Sequence, residues 1–60
     1  MKTIKVLIAD DHSVVRMGLA ALIKFHRGLT LVGEAQDGAE AAEKAAETKP
    51  DVVIMDLMMP

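Results

Sequence analysis

Three aspartates in this sequence each follow a short apolar run, and their carboxylates are the groups best suited to chemistry. Asp10 and Asp11 come directly after VLIA, and Asp56 comes directly after VVIM. Carboxylates held close together repel one another, and a bound cation relieves that repulsion. Oxygen ligands of this kind suit Mg²⁺, which usually takes one or two carboxylates and a phosphate oxygen. Because a carboxylate beside such an ion can attack a phosphorus centre, the pattern indicates phosphoryl transfer to Asp56.

These aspartates can meet only if the apolar runs form neighbouring strands. The sequence predicts five elements in the order β-α-β-α-β, with strands at 4–9, 29–32 and 52–55 and helices at 14–26 and 38–48. Unbroken apolar runs suit strands that are buried on both faces of a parallel sheet. Right-handed crossovers that run in opposite directions from the first strand give an α/β fold with strand order 2-1-3 and helices on opposite faces. The acids then converge on one cleft at the topological switch point.

The two predicted helices have recognisable ends and faces. We expect the first helix to turn an apolar stripe toward the sheet, made of Val15, Leu19 and Leu22 and flanked by Val14, Gly18, Ala21 and Phe25. Arg16 is assigned to the solvent side of this helix. Gly28 is expected to end it, as a residue that tolerates the left-handed conformation. Asp37 with Glu40 three residues later predicts a capping box at the start of the second helix.

Composition limits the classes of protein to which the chain can belong. Its 60 residues make one domain at most, with 52% hydrophobic residues, 2% aromatic residues and no cysteine. The core must therefore be aliphatic, and no disulfide indicates an oxidising compartment. A net charge of -2 argues against a nucleic-acid surface on this segment. The apolar runs are too short to cross a bilayer, so we expect a cytoplasmic protein that does not contact the membrane.

Several motifs occur in order at spacings that identify a family. The segments IKVLIADDHSVVRMGL and VGEAQDGAEAAEKAAETKPDVVIMDLMMP resemble the first half of a bacterial two-component response-regulator receiver domain. The motifs in these two segments most resemble those of receivers of the LuxR-type (NarL/FixJ-like) helix-turn-helix subfamily. The resemblance implies a flavodoxin-like fold, in which order 2-1-3 is part of the order 2-1-3-4-5.

The resemblance also assigns roles to individual residues. It makes Asp56 the site of phosphorylation by a sensor histidine kinase. Asp11 would bind Mg²⁺ directly, Asp10 would act largely through a bound water, and the backbone carbonyl of Met58 would be the remaining ligand. Pro60 would shape the loop beyond the acceptor. In the full-length protein, phosphorylation would control a DNA-binding transcriptional output.

The chain matches only part of the family pattern. Residues 1–60 correspond to a partial receiver with strands 1–3 and helices 1–2, because receivers are about twice this length. The family's hydroxyl residue on strand 4 and lysine on strand 5 have no counterpart, and neither does the output domain. We therefore expect that this segment alone cannot switch.

Simpler interpretations exist for the same residues. Asp10 and Asp11 could cap the first helix, and Asp56 could be an ordinary residue of a turn; their combination favours a site. His12 could act as a base, but an exposed loop histidine is the preferred interpretation. An aspartate-based phosphatase or phosphotransferase would need a second acid two residues after the nucleophile. That position is Met58, so we do not expect an enzyme.

The third strand supports a structural alternative. In the order 2-1-3 it lies at the edge of the sheet, and an apolar edge strand tends to pair with another chain. The segment could therefore be a self-associating half-fold without activity of its own, in the form of a two-fold dimer.

Overall fold

The computed structural model describes residues 2–56, and for Asp56 it describes the backbone alone. The elements in chain order are β1 (Ile4–Asp10), α1 (Ser13–Phe25), β2 (Leu29–Ala35), α2 (Gly38–Thr48) and β3 (Val52–Asp56). The β-α-β-α-β order expected from the sequence is confirmed. Among residues 2–56, no helix combines the length and the apolar character that a bilayer-spanning segment needs.

The three strands form one parallel sheet in the order β2-β1-β3, as predicted. Alternate residues of β1 point to opposite faces of the sheet. Val6 and Ile8 pack against Ala20 and Ile23 of α1 in one cluster. A second cluster joins Ala9 of β1 to Ala35 of β2 and Ala41 of α2. The two helices therefore cover opposite faces, and β1 lies at the centre of the fold.

Strand β2 is longer than the sequence pattern indicated, because it continues past Val32 to Ala35. The register with β1 shifts at this point, so that Val6 pairs with Leu31 whereas Leu7 pairs with Gly33. A side chain at position 33 would meet that of Leu7, since a Cβ placed there would lie 3.1 Å from the Leu7 Cδ1. Glycine therefore leaves room for the buried Leu7 side chain here, and the segment after Val32 is still strand.

Helix α1 is rotated relative to the predicted stripe. The residues that it buries are Ala20 and Ile23, with Leu19 partly buried beside them. By contrast, Val14, Leu22 and Phe25 are 80%, 69% and 89% exposed. The expectation that the stripe of Val15, Leu19 and Leu22 faces the sheet was therefore wrong except at Leu19. Apolar residues surround most of this helix, so periodicity alone does not select the side that packs on β1 and β2.

Two helix ends also differ from expectation. Helix α1 ends at Phe25 with His26 as its extended C-cap, and Gly28 does not have a positive φ. The expected left-handed glycine stop was wrong, because the His26 ring accepts a hydrogen bond from the Gly28 N–H (3.1 Å) and closes the turn. Helix α2 instead ends at a left-handed Lys49, with φ 48° and ψ 61°. At its start the predicted Asp37 cap is present, because the Asp37 carboxylate accepts a hydrogen bond from the Glu40 N–H (2.8 Å). The Glu40 carboxylate lies near Lys44 (3.9 Å) instead, so only this half of the predicted capping box is found among the described residues.

Strand β3 forms one edge of the sheet and is joined to β1 at its amino end. The Asp51 carboxylate accepts a hydrogen bond from the Lys5 N–H (2.9 Å), and the Asp51 N–H donates to the Lys5 carbonyl (2.8 Å). Val52, Val53 and Met55 remain 45%, 39% and 56% exposed. The sequence pattern alone indicated a strand that is buried on both faces, but the sheet order leaves this one exposed.

Candidate metal centre

The carboxyl ends of β1 and β3 lie side by side. Asp10 and Asp56 are direct partners in the parallel register, and adjacent strands are about 4.8 Å apart. The backbone therefore brings together two aspartates that are far apart in sequence. The Asp56 side chain, Met58 and Pro60 lie outside the described residues.

Asp10 is the most unusual residue of this region, because its carboxylate is fully buried. One oxygen, Oδ1, accepts a hydrogen bond from the His12 N–H (2.8 Å). The other, Oδ2, has no hydrogen-bond partner among residues 2–56. An unsatisfied buried acceptor costs roughly 1–3 kcal/mol, and more when it is charged. A buried carboxylate in this condition fits a position beside a cation.

Asp11 and His12 follow Asp10 in the short loop before α1. The Asp11 side chain is 46% exposed, and its Oδ1 lies 2.9 Å from the His12 Nδ1. Ligand atoms of Asp10, Asp11 and His12 all lie within 4.8 Å of one another. His12 is the N-cap residue of α1, and its side chain makes no capping hydrogen bond. Neither Asp10 nor Asp11 is this N-cap, so the capping interpretation does not describe the loop.

Arg16 is a site neighbour that the sequence interpretation placed wrongly on the solvent side of α1. Its side chain is only 20% exposed and lies 3.5 Å (Nε to Oε1) from Glu34 of β2. The Arg16 Nη1 donates a hydrogen bond of 2.7 Å to the Asp10 carbonyl. This guanidinium joins α1, β1 and β2 beside the acidic loop and opposes its negative charge. Arg16 lies six residues after Asp10, near the start of the helix, and this spacing is the sequence signal that could have indicated its contact with Asp10.

The donor set fits a hard divalent cation. The half-exposed Asp11 carboxylate and the buried Asp10 carboxylate lie at the carboxyl end of β1, and the backbone of Asp56 lies beside Asp10. Mg²⁺ prefers such oxygen ligands and keeps several waters, which an exposed loop allows. The Asp10 oxygen without a described partner also favours a cation here, and the sequence alone could not reveal this feature.

The fold and this acidic end belong to a known class of signalling domain. Residues 6–60 match the model of the response regulator receiver domain, and the chain is a member of that family. Receiver domains of this family are signalling modules. The LuxR-type subfamily resemblance expected from the motifs is confirmed by the relatives and structural neighbours.

Three comparisons illustrate that membership. The chain is 52% identical over 56 residues to the oxygen regulatory protein NreC of Staphylococcus haemolyticus, covering 93% of this chain and 26% of NreC. It superimposes with a TM-score of 0.91 on the signal receiver domain of NarL from Mycobacterium tuberculosis, at 35% identity over all of this chain and 48% of that one. RcsB of Salmonella enterica, bound to promoter rprA with the phosphomimetic BeF₃⁻, gives a TM-score of 0.87 at 30% identity, covering 98% of this chain and 29% of RcsB. The chain thus spans about a quarter of the length of the curated relatives that it matches.

Proposed function

We propose that this chain carries the phosphoacceptor site of a two-component response regulator, in which Asp56 receives a phosphoryl group from a sensor histidine kinase with the help of Mg²⁺. One observation carries the proposal. Asp10 is fully buried, has a carboxylate oxygen without a partner among the described residues, and pairs in register with Asp56. Burial of a carboxylate is costly unless it is paired or coordinates a metal, so an oxygen without a described partner beside a second acid supports a bound cation here.

The proposed roles follow the position of each residue. Asp11 would contact the ion directly, Asp10 would act largely through a water, and Asp56 and the Met58 carbonyl would complete the protein ligands. The bound ion would neutralise negative charge on the phosphoryl group during transfer. An Asp56 oxygen would attack the phosphorus of a phosphohistidine. The new O–P bond would form as the P–N bond breaks, and the kinase histidine would leave.

The contribution of the surrounding chain is positioning. The His12 N–H fixes one oxygen of Asp10, and Arg16 holds the Asp10 carbonyl. Both contacts come from the loop and the first turns of α1, so the helix and the end of β1 hold a fixed relative position. Contacts of this kind hold the acidic groups in place before the reaction. Phosphoryl transfer can then be promoted by the position and charge of these groups.

The proposal places the chain within a larger signalling protein. We assign residues 1–60 to the amino-terminal part of a receiver, with strands 1–3 and helices 1–2, and propose that this part alone does not switch an output. In the whole protein the output would be a DNA-binding domain, as the promoter-bound RcsB relative suggests. The segment would bind no nucleic acid and no membrane, would act as a signalling module rather than an enzyme, and would be cytoplasmic, where its kinase partner would reach it.

A second proposal concerns the state of the isolated segment. Three of the five residues of β3 are apolar and well exposed at a sheet edge. Edge strands with these properties pair with other chains. We propose that copies of the segment associate through β3, and sedimentation that shows only monomer at high concentration would contradict this.

The phosphoacceptor proposal can be tested with acetyl phosphate as a small phosphoryl donor. In the presence of Mg²⁺, intact mass spectrometry is expected to show the gain of one phosphoryl group, and Asp56→Asn is expected to abolish it. Asp51→Asn is the matched control, because it changes an aspartate at the other end of the same strand. Mg²⁺ is also expected to raise the Tm, and Asp56→Asn to weaken that effect. Equal phosphorylation of wild type and Asp56→Asn would contradict the assignment.

A further inference from the structure

His12 has a feature that the proposed phosphoryl transfer does not use. Its imidazole lies in the loop between β1 and α1, half exposed, and faces the two aspartates that precede it. The Nδ1 atom is 2.9 Å from the Asp11 Oδ1 and 3.4 Å from the Asp10 Oδ1. A nitrogen atom is thus placed directly against the oxygen atoms of the candidate metal centre.

These distances match the spacing of ligands around a metal ion. Two ligands in adjacent positions, each about 2.1 Å from a first-row ion, lie about 3 Å apart. The arrangement is also fixed by the backbone, since the His12 N–H donates to Asp10 (2.8 Å) and His12 begins α1 as its N-cap. These backbone contacts place the His12 residue beside the acids, and its ring nitrogen contacts both of them.

A second observation points independently to a bound cation. The Asp10 side chain is 0% exposed, and its Oδ2 has no partner within the described part of the chain. The contact with the His12 N–H satisfies only Oδ1. Hydrogen bonds inside the loop therefore do not explain this carboxylate, whereas a cation beside it does.

We propose that His12 is a nitrogen ligand of the ion held by Asp10 and Asp11, which shifts the preference of this site from Mg²⁺ toward Zn²⁺ and Co²⁺. The inference rests on the proposed metal site and adds one ligand to it. Imidazole nitrogen suits zinc and its neighbours in the first transition row, whereas carboxylate and water suit Mg²⁺. A site in which this imidazole joins the Asp11 carboxylate, with Asp10 acting largely through a water, thus binds both classes of ion but binds the softer ion with the larger gain in affinity.

The contact has an alternative explanation, in which His12 donates a hydrogen bond from Nδ1 to Asp11 and only positions that carboxylate. Under that alternative, loss of the ring lowers the affinity for every ion by a similar factor. If His12 is a ligand, loss of the ring lowers the affinity for Zn²⁺ far more than the affinity for Mg²⁺. The ratio of the two affinities therefore separates the explanations, whereas either affinity alone does not.

The test compares Zn²⁺ and Mg²⁺ binding to wild type, His12→Gln and His26→Gln by isothermal titration calorimetry. His26 is the matched control, because it lies at the other end of α1 and is also exposed. We expect His12→Gln to lower the affinity for Zn²⁺ roughly tenfold or more. The affinity for Mg²⁺ is expected to fall by less than about twofold. His26→Gln is expected to change neither. Because His12 is half exposed, circular dichroism should show that its substitution leaves the fold intact.

A spectroscopic measurement reports ligation without any comparison of affinities. In a chain with ¹⁵N-labelled histidine, Zn²⁺ is expected to move a ring nitrogen resonance of His12 and to leave those of His26 in place. Equal weakening of Zn²⁺ and Mg²⁺ by His12→Gln, or no shift of the His12 ring, would overturn the inference and leave the proposed function intact. Binding of Zn²⁺ through His12 without any Mg²⁺ binding would instead support the inference and contradict the proposed Mg²⁺ site. Failure of both ions to bind would contradict both.

Discussion

Strands β1 and β3 have similar sequences and opposite environments. Both consist of an apolar run that ends in aspartate, KVLIAD in one and VVIMD in the other, and they pair in parallel register. In β1 the residues from Val6 to Asp10 are at most 2% exposed. In β3 the neighbouring Val52, Val53 and Met55 are 39–56% exposed, whereas Ile54 is partly buried against the core. The same local pattern thus produces a central strand and an edge strand.

The difference shows that burial depends on neighbours rather than on the strand itself. β1 has a strand on each side and a helix on each face, whereas β3 has one strand neighbour and little helix cover. Among the described polar residues, the difference is largest for Asp10, whose side chain is fully buried because its strand is central. Substitutions at matched positions of the two strands should therefore have unequal effects.

The largest difference is expected at Ile8 and Ile54, which are direct partners in the register. Ile8 is 0% exposed, and truncation to alanine should cost about 2–5 kcal/mol of unfolding free energy. Ile54→Ala should cost about half as much, because Ile54 is only partly buried. Urea denaturation followed by circular dichroism measures both.

Ile8→Ala could leave the chain unfolded, since small domains rarely have more than about 3–5 kcal/mol of stability. The milder pair Ile8→Val and Ile54→Val then tests the same comparison, with a cost of about 0.5–1.5 kcal/mol expected at Ile8. Equal costs at the two positions would contradict the unequal burial of the strands.

The next effect concerns the buried carboxylate. Asp10→Asn removes a buried charge that lacks a described partner at one oxygen, so without divalent cations the variant should be more stable than wild type, by on the order of 1 kcal/mol, because the buried amide still needs partners of its own. The same variant should lose most of the stabilisation that Mg²⁺ gives. Thermal unfolding with and without Mg²⁺ measures both effects. Asp37→Asn is a suitable comparison, because Asp37 is an exposed helix cap whose role asparagine can fill. A less stable Asp10→Asn variant without cations would show that the carboxylate is compensated in another way.

A smaller effect is expected where β3 is fastened to β1. Asp51→Ala removes the hydrogen bond from the Lys5 N–H to the carboxylate and should cost about 1 kcal/mol. Because the Asp51 backbone still pairs with Lys5, the strand should remain in the sheet. Amide hydrogen exchange should then become faster in β3 than in β1, and equal acceleration in both strands would contradict a local attachment.

The smallest effect on stability is expected at the exposed edge. Val53 is 39% exposed, so Val53→Lys should change the unfolding free energy by less than about 1 kcal/mol. The added charge should nevertheless prevent pairing of β3 with another copy. Analytical ultracentrifugation of wild type and Val53→Lys should show fewer oligomers for the variant. Unchanged association would mean that β3 is not the contact surface.

The sequence was sufficient for much of the fold. Consecutive apolar residues in β1, the Asp37 cap and the short connections predicted five elements in the correct order, and the topology gave the correct strand order. The length of β2 was not predictable in the same way. Its last residues, Gly33 to Ala35, are strand because β1 offers them partners after a shift in register, which is a tertiary cause.

The candidate site was predicted in outline but not in its details. The sequence indicated that the acids of β1 and β3 meet at one edge, and the backbone register brings Asp10 and Asp56 together. It could not indicate that Arg16 turns inward to the Asp10 carbonyl, because an arginine on an amphipathic helix ordinarily faces water. It also gave no reason to place the His12 ring against Asp11.

The sequence by itself determined the elements, their order and the family, because apolar runs, turn residues and motif spacing are local properties. Only the tertiary structure decided which face of α1 is buried, which strand is central and how completely Asp10 is enclosed. Those outcomes depend on how many neighbours surround each strand and helix, and neighbours are supplied by distant parts of the chain. Asp10 and Asp56 thus have the same local pattern, and the central position of β1 gives Asp10 the buried, unpartnered oxygen.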